Sequence, residues 1–203
     1  MINLIECGVG NIGSVKNVLN QIGSNINIVT RPDQFNLNSK KIILPGVGSF
    51  DSFIYSLKQS GLFNKIIELV EKHNFTILGI CVGLQSFFQK SEEGSETGMS
   101  LIKGNILKIK SSAEIKIPHM GWNDLIIKNN NSNLLKDIPK NKFYFAHSFY
   151  AECSYKENIL ATVIHGQEIC SIVNYRNIYG VQFHPEKSFL QGQKILKNFI
   201  DLC

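Results

Sequence analysis

A chain of 203 residues with 43% hydrophobic content is long enough to bury a core, and 18% charged residues is too little for a disordered polymer. No apolar run reaches the roughly 20 residues of a membrane-spanning helix. The formal charge of +5 is scattered, without the basic stripe and interleaved aromatics of a nucleic-acid surface. The five cysteines, Cys7, Cys81, Cys153, Cys170 and Cys203, include no CxxC pair, which argues against a disulfide framework and a zinc site. Met1–Glu6 lacks the basic start and apolar core of a signal sequence, so a cytoplasmic location is expected.

In chain order, Ile2–Glu6 reads as a strand and Asn11–Ile22 as a helix with Val15, Val18, Leu19 and Ile22 on one face. Gly23 stands where a helix C-terminal glycine belongs. Strands follow at Ile26–Val29 and Lys41–Leu44, and helices at Ser49–Ser60 and Leu62–Lys72, broken at Gly61. Phe75–Ile80 is a short apolar run suited to a buried parallel strand. This β-α-β-α rhythm predicts a parallel sheet with helices on both faces.

The second half has a different character. Short β-like runs occur at Ile106–Ile109, Asp124–Ile127, Phe143–Phe145, Ile159–Ile164 and Ile169–Tyr175, separated by turn clusters such as 129–133. They predict antiparallel additions to the same sheet. One more strand, Ile178–Phe183, precedes a closing helix, Phe189–Leu202, whose apolar face is Phe189, Ile195, Leu196, Phe199 and Ile200. The expected fold is therefore α/β: an open, mostly parallel sheet flanked by helices, with antiparallel additions in the second half, in a single domain over residues 1–203.

The chemistry centres on Gly79-Ile80-Cys81-Val82-Gly83, where a strand meets a predicted helix opening at Leu84–Lys90. Strand, tight turn and helix with a nucleophile at the tip is the nucleophile elbow, with cysteine in place of serine. Glycines on either side of Cys81 leave room for a strained backbone, and a following helix would favour thiolate. Taken alone, Cys81 could also be a small buried core residue. A hundred residues on, Gly180-Val181-Gln182-Phe183 runs into His184-Pro185-Glu186. In an extended segment Glu186 returns to the side of His184, where its carboxylate can fix the imidazole tautomer. The loop Gly46-Val47-Gly48 after the third strand can offer backbone N–H groups as an oxyanion hole, or be an ordinary turn.

Together these motifs resemble the class I (triad) glutamine amidotransferases. The runs Leu44–Gly48, Ser91–Gly94, Pro118-His119-Met120-Gly121-Trp122-Asn123, Phe143–Ser148 and His184–Ser188 resemble, nearly end to end, the glutaminase subunits of imidazole glycerol phosphate synthases. The resemblance implies Cys81 as nucleophile, His184 as acid–base and Glu186 as its orienter. It implies an oxyanion hole from Gly46, Val47, Gly48 and Val82. Glutamine would be bound by Gln85, Glu93 and the His147-Ser148-Phe149 segment, Glu93 being chosen over Glu92 by spacing from Cys81. Trp122, Asn123, Tyr144 and Lys187 would face a (β/α)8-barrel cyclase that receives the ammonia in histidine biosynthesis. No cofactor and no metal are implied, and His119 and His147 lack metal-ligand spacing. Two departures stand out: Cys7 where relatives tend to carry an aromatic, and Phe149 where tyrosine is common.

Two other readings compete. The same glutaminase could feed a different synthase, such as one amidating a surface sugar. Gly8-Val9-Gly10-Asn11-Ile12-Gly13 formally matches a dinucleotide fingerprint, but the second strand ends in Thr30 and Arg31 without the acid that motif needs. A tight βα turn capped near Asn11 is the better account of it.

Overall fold

The computed structural model describes residues 1–112 and 114–203. The first half alternates as predicted: β1 (Ile2–Ile5), α1 (Ile12–Gln21), β2 (Ile26–Val29), β3 (Lys41–Gly46), α2 (Phe50–Gln59), α3 (Leu62–Lys72) and β4 (Thr76–Cys81). Then come α4 (Val82–Gln85), β5 (Lys90–Ser91), β6 (Gly104–Lys108), β7 (His119–Asp124), β8 (Ile126–Ile127), β9 (Lys142–His147) and β10 (Phe149–Cys153). The chain closes with β11 (Ile159–His165), β12 (Gln167–Tyr175), β13 (Ile178–Val181) and α5 (Phe189–Leu202).

The main sheet has eight strands in the order β2-β1-β3-β4-β13-β12-β11-β8. Its first five strands are mutually parallel, and β12, β11 and β8 are added antiparallel. The central strand β4 is buried from Ile77 to Cys81, as a strand covered by helices on both faces must be. Helix α2 buries Phe50, Phe53, Ile54 and Leu57, and α3 buries Leu62, Ile66, Leu69 and Val70. Each such side chain contributes about 1.5–3 kcal/mol of burial. Gly23 does end α1: its φ is +76°, its N–H donates to Asn20 O (3.0 Å), and Ser24 N–H reaches Leu19 O (3.0 Å), a Schellman closure. At the other end Asn11 is the cap residue, but its side chain makes no capping hydrogen bond.

Register places the site. Gly46 on β3 lies opposite Cys81 on β4, and Val181 on β13 lies opposite Ile80. Three parallel strands thus release their chains at one level of the sheet edge, where open α/β sheets hold ligands.

Three expectations are corrected. Only β8, β11 and β12 extend the main sheet; β10-β6-β5 form a second sheet and β7-β9 a two-stranded ribbon. Strand β7 escaped the apolar pattern because its polarity is inverted: His119 is buried, while Met120 and Trp122 are exposed. The helix expected beyond Cys81 is a single turn. Residues 98–102 take the carbonyls a longer helix would use, with Met99 N–H on Ser86 O (2.7 Å) and Ile102 N–H on Phe87 O (3.1 Å). Phe189 does not join the core face of α5. It is 72% exposed, with a φ of +48° that bulky residues rarely adopt, and stacks on Trp122 at 5.1 Å.

Candidate active site

Cys81 sits in the conformation an elbow requires, with φ +55° and ψ −109°. The flanking glycines are steric necessities. A Cβ on Gly83 would lie 2.0 Å from Leu44 O, and one on Gly79 would lie 2.6 Å from Leu84 N. Gly46 has the same constraint, since its Cβ would lie 2.6 Å from Gly83 N. The turn of β4 and the loop after β3 therefore pack backbone against backbone.

A one-turn helix lacks the run of aligned peptides that makes a strong dipole. The groups beside the sulfur are instead side chains from β13 and its continuation. Gln182 Nε2 lies 3.7 Å from Cys81 Sγ, and His184 is close enough for the thiol to raise its pKa. His184 Nδ1–H donates to Glu186 Oε1 at 2.9 Å, with both side chains buried. The reason differs from the extended segment expected above. Residues Pro185–Lys187 form a 3-10 turn, and this curl brings the carboxylate back. The turn is pinned by His184 N–H on Tyr144 O (2.9 Å) and by Ser188, whose hydroxyl donates to His184 O (2.7 Å). Burial alone would lower the pKa of His184, but hydrogen bonds to Cys81 and Glu186 outweigh it and push the pKa up to about 10.

A cavity of about 290 Å³ opens beside Cys81, at the small end of the roughly 300–1,000 Å³ range of small-molecule pockets. Val47, Gly48 and Val82 line it, whereas Gly46 stands behind as the close-packed base of the loop. Gln85, Glu93, His147, Ser148 and Phe149 complete the lining. Gln85 Nε2 donates to Phe149 O (3.0 Å) and to Gln182 Oε1 (3.2 Å). Glu93 Oε2 accepts from Phe50 N–H at 2.7 Å, which ties the acid to the first turn of α2, directly after the Gly46–Gly48 loop. Glu92 is engaged elsewhere, accepting from Lys108 N–H at 2.7 Å.

Trp122, 39% exposed, meets Tyr144 edge-on at 5.9 Å and Phe189 face-on. Lys187 lies over the Tyr144 ring at 5.6 Å. Asn123 does not share this surface. The pleat turns it to the opposite face of β7, where its amide donates to Ile164 O at 2.9 Å. Gln182 is the residue that motif reading passed over. Period-two spacing from His184 on one strand face carries the signal, as a fully buried glutamine beside the nucleophile needs partners.

The Gly8–Gly13 turn encloses only about 70 Å³, far short of a dinucleotide site. Among the described residues no group of three His, Cys, Asp or Glu is placed to hold a metal ion, and no helix is long and apolar enough to cross a membrane.

Residues 3–202 match the family model for "Glutamine amidotransferase class-I". The chain belongs to the class I glutamine amidotransferases. Within that family it is 44% identical to the imidazole glycerol phosphate synthase subunit HisH 2 of Methanococcus maripaludis, over 98% of each chain. It is 40% identical to the HisH subunit of Leptospira borgpetersenii over 100% of both. The amidotransferase fold is shared with more distant solved structures. One is a glutamine amidotransferase crystal structure, with TM-score 0.77 at 14% identity, covering 100% of this chain and 98% of the other. Another is PurLQS from Thermotoga maritima, with TM-score 0.74 at 22% identity, covering 98% and 97%.

Proposed function

We propose that this chain is the glutaminase subunit of an imidazole glycerol phosphate synthase, hydrolysing glutamine to glutamate and handing the ammonia to a (β/α)8-barrel cyclase in histidine biosynthesis. The observation that carries this reading is the strained Cys81 beside the His184–Glu186 pair on the lining of a cavity of about 290 Å³. Full-length similarity to HisH subunits favours the synthase over a surface-sugar partner.

The sulfur of Cys81 attacks the carboxamide carbon of glutamine, and the carbonyl electrons move onto oxygen. Backbone N–H groups of Val82 and of the Val47–Gly48 loop receive this oxyanion, each donor worth roughly 3–4 kcal/mol in comparable sites. His184, holding the thiol proton, passes it to the amide nitrogen as the C–N bond breaks and ammonia leaves. Water then attacks the γ-glutamyl thioester, giving its proton to His184, and glutamate departs as the C–S bond breaks. Glu186 keeps the proton of His184 on Nδ1 and the reacting Nε2 toward the sulfur. Glu93 presents a carboxylate to the α-ammonium of the substrate, while Gln85 and the 147–149 segment bracket the rest.

The exposed Trp122, Phe189 and Lys187, with the half-buried Tyr144 between them, are suited to dock the barrel, since apolar and aromatic groups around one cation characterise interface cores. A free thiol nucleophile among five unpaired cysteines suits the reducing cytoplasm. The test is glutamate release by the purified chain alone, and then with the cyclase subunit of the same source and its nucleotide ligand. Strong stimulation by the loaded barrel is expected. Basal hydrolysis without stimulation would keep the glutaminase and reject the partner.

A further inference from the structure

Beneath the exposed face of the β7-β9 ribbon lies a set of imidazoles whose hydrogen bonds to one another have no part in hydrolysis as described. His119 and His147 are directly opposed across the ribbon, and both are buried. Their hydrogen bonds can be given directions from the acceptor end. His147 Nδ1 is 2.8 Å from Phe149 O, and a carbonyl only accepts, so Nδ1 carries hydrogen. Burial holds His147 at a pKa of about 3 and His119 at about 4, so both rings are neutral near pH 7. The Nε2 of His147 is then a lone pair, and His119 Nδ1 at 3.0 Å must donate to it. That leaves His119 Nε2 as an acceptor, facing the Asn123 amide at 3.4 Å. The orientation of this amide is itself fixed, because both its neighbours, His119 Nε2 and Ile164 O, only accept. His119 is clamped as well, stacked between Phe145 at 4.7 Å and His165 at 4.2 Å.

The column ends on the wall of the cavity. Phe149 O accepts both His147 Nδ1–H and Gln85 Nε2–H. The other amide hydrogen of Gln85 goes to Gln182 Oε1, and Gln182 Nε2 points at Cys81 Sγ. Two neutral imidazoles are an expensive filling for a ribbon core that apolar side chains would stabilise as well. What they add is direction: each bond fixes the donor and acceptor sense of the next.

We propose that Asn123, His119 and His147 form a one-way hydrogen-bonded column that holds the Phe149 carbonyl, and through it Gln85, in place as the glutamine-binding wall. His119 is then a positioning residue for glutamine, acting through His147. This rests on the glutaminase reading above.

The test compares His119→Phe with His119→Asn, each assembled with the barrel partner. Phenylalanine keeps the stack on Phe145 and His165 but removes the donor to His147. Asparagine gives up the stack but places an amide N–H near the position of Nδ1. In His119→Phe the KM for glutamine should rise about 10-fold, as for one lost hydrogen bond, with kcat within about 2-fold of the parent. His119→Asn should recover most of that KM. Nitrogen NMR of the parent should show His147 and His119 as Nδ1–H tautomers, with the Nε2 resonance of His147 shifting in His119→Phe as the hydrogen bond it accepts is lost. An unchanged KM in His119→Phe, an equal rise in both variants, or an Nε2–H tautomer of parental His147 would overturn the proposal. A parent chain without glutaminase activity would sink the functional reading, whereas the tautomer measurement still decides the column.

Discussion

His184 and His147 line one cavity and are tuned in opposite directions. Burial disfavours the proton on both. Beside His184 stand a thiol and a carboxylate, and their hydrogen bonds reverse the effect of burial. Beside His147 stand a carbonyl and a neutral imidazole. The carbonyl raises its proton affinity, but burial dominates, and the charge on His184 lowers it further. Depth in the fold therefore does not decide what a histidine does here. The neighbour on its second nitrogen does: a carboxylate makes an acid–base, and a carbonyl makes a strut.

The comparison can be broken most severely at the nucleophile. Cys81→Ser should cut glutamine hydrolysis by at least about 10⁴-fold, since members of a catalytic unit act together, while circular dichroism stays unchanged. Parent-level turnover in that variant would remove Cys81 from the chemistry. A smaller loss, about 10²–10³-fold, is expected for Glu186→Gln, which keeps an acceptor for Nδ1–H but removes the charge. It should fall short of the loss in His184→Ala. The charge removed is one that raises the His184 pKa, so the alkaline limb of the pH–rate profile should move to lower pH in Glu186→Gln. A limb that stays put would deny the carboxylate its part in the contrast.

The smallest effect is on stability. His119 and His147 bind protons in the unfolded chain near pH 6.5 but in the folded chain only near about 4 and about 3. Between those values the unfolded state holds more protons, so each histidine should cost on the order of 1–2 kcal/mol as pH falls from 7 toward 5. His184 works in the other window. Its raised value gives stability complete below about 6.5 and lost as pH climbs through about 10. Denaturant midpoints for His119→Phe should therefore fall less between pH 7 and 5 than those of the parent. An equal fall would mean that His119 is not held neutral.

Much of the parallel half was legible because its signals are local. A buried central strand reads as an unbroken apolar run, and Gly79 and Gly83 are demanded by backbone atoms 2.0–2.7 Å from where their Cβ atoms would sit. The ribbon was not legible in this way. In β7 a histidine and an asparagine point inward while Met120 and Trp122 point out, so an apolar period indicates the wrong face. The helix after Cys81 was overestimated because its carbonyls are claimed by residues 98–102, a tertiary effect with no local mark. Helical spacing puts Phe189 on the core face of α5, yet it completes an exposed aromatic surface with Trp122. Gln182 carries no motif; its spacing from His184 is the one sequence mark of it, and its place beside Cys81 shows only in the fold.

The central claim is that one sulfur of five attacks glutamine, and covalent trapping tests it most directly. The protein would be treated with a glutamine analogue bearing a diazoketone in place of the carboxamide, digested, and mapped by mass spectrometry. The account predicts one adduct per chain, on the peptide containing Cys81, with hydrolysis lost in proportion and protection by glutamine. Labelling of Cys7, Cys153, Cys170 or Cys203 instead, or full occupancy at Cys81 with hydrolysis intact, would contradict it.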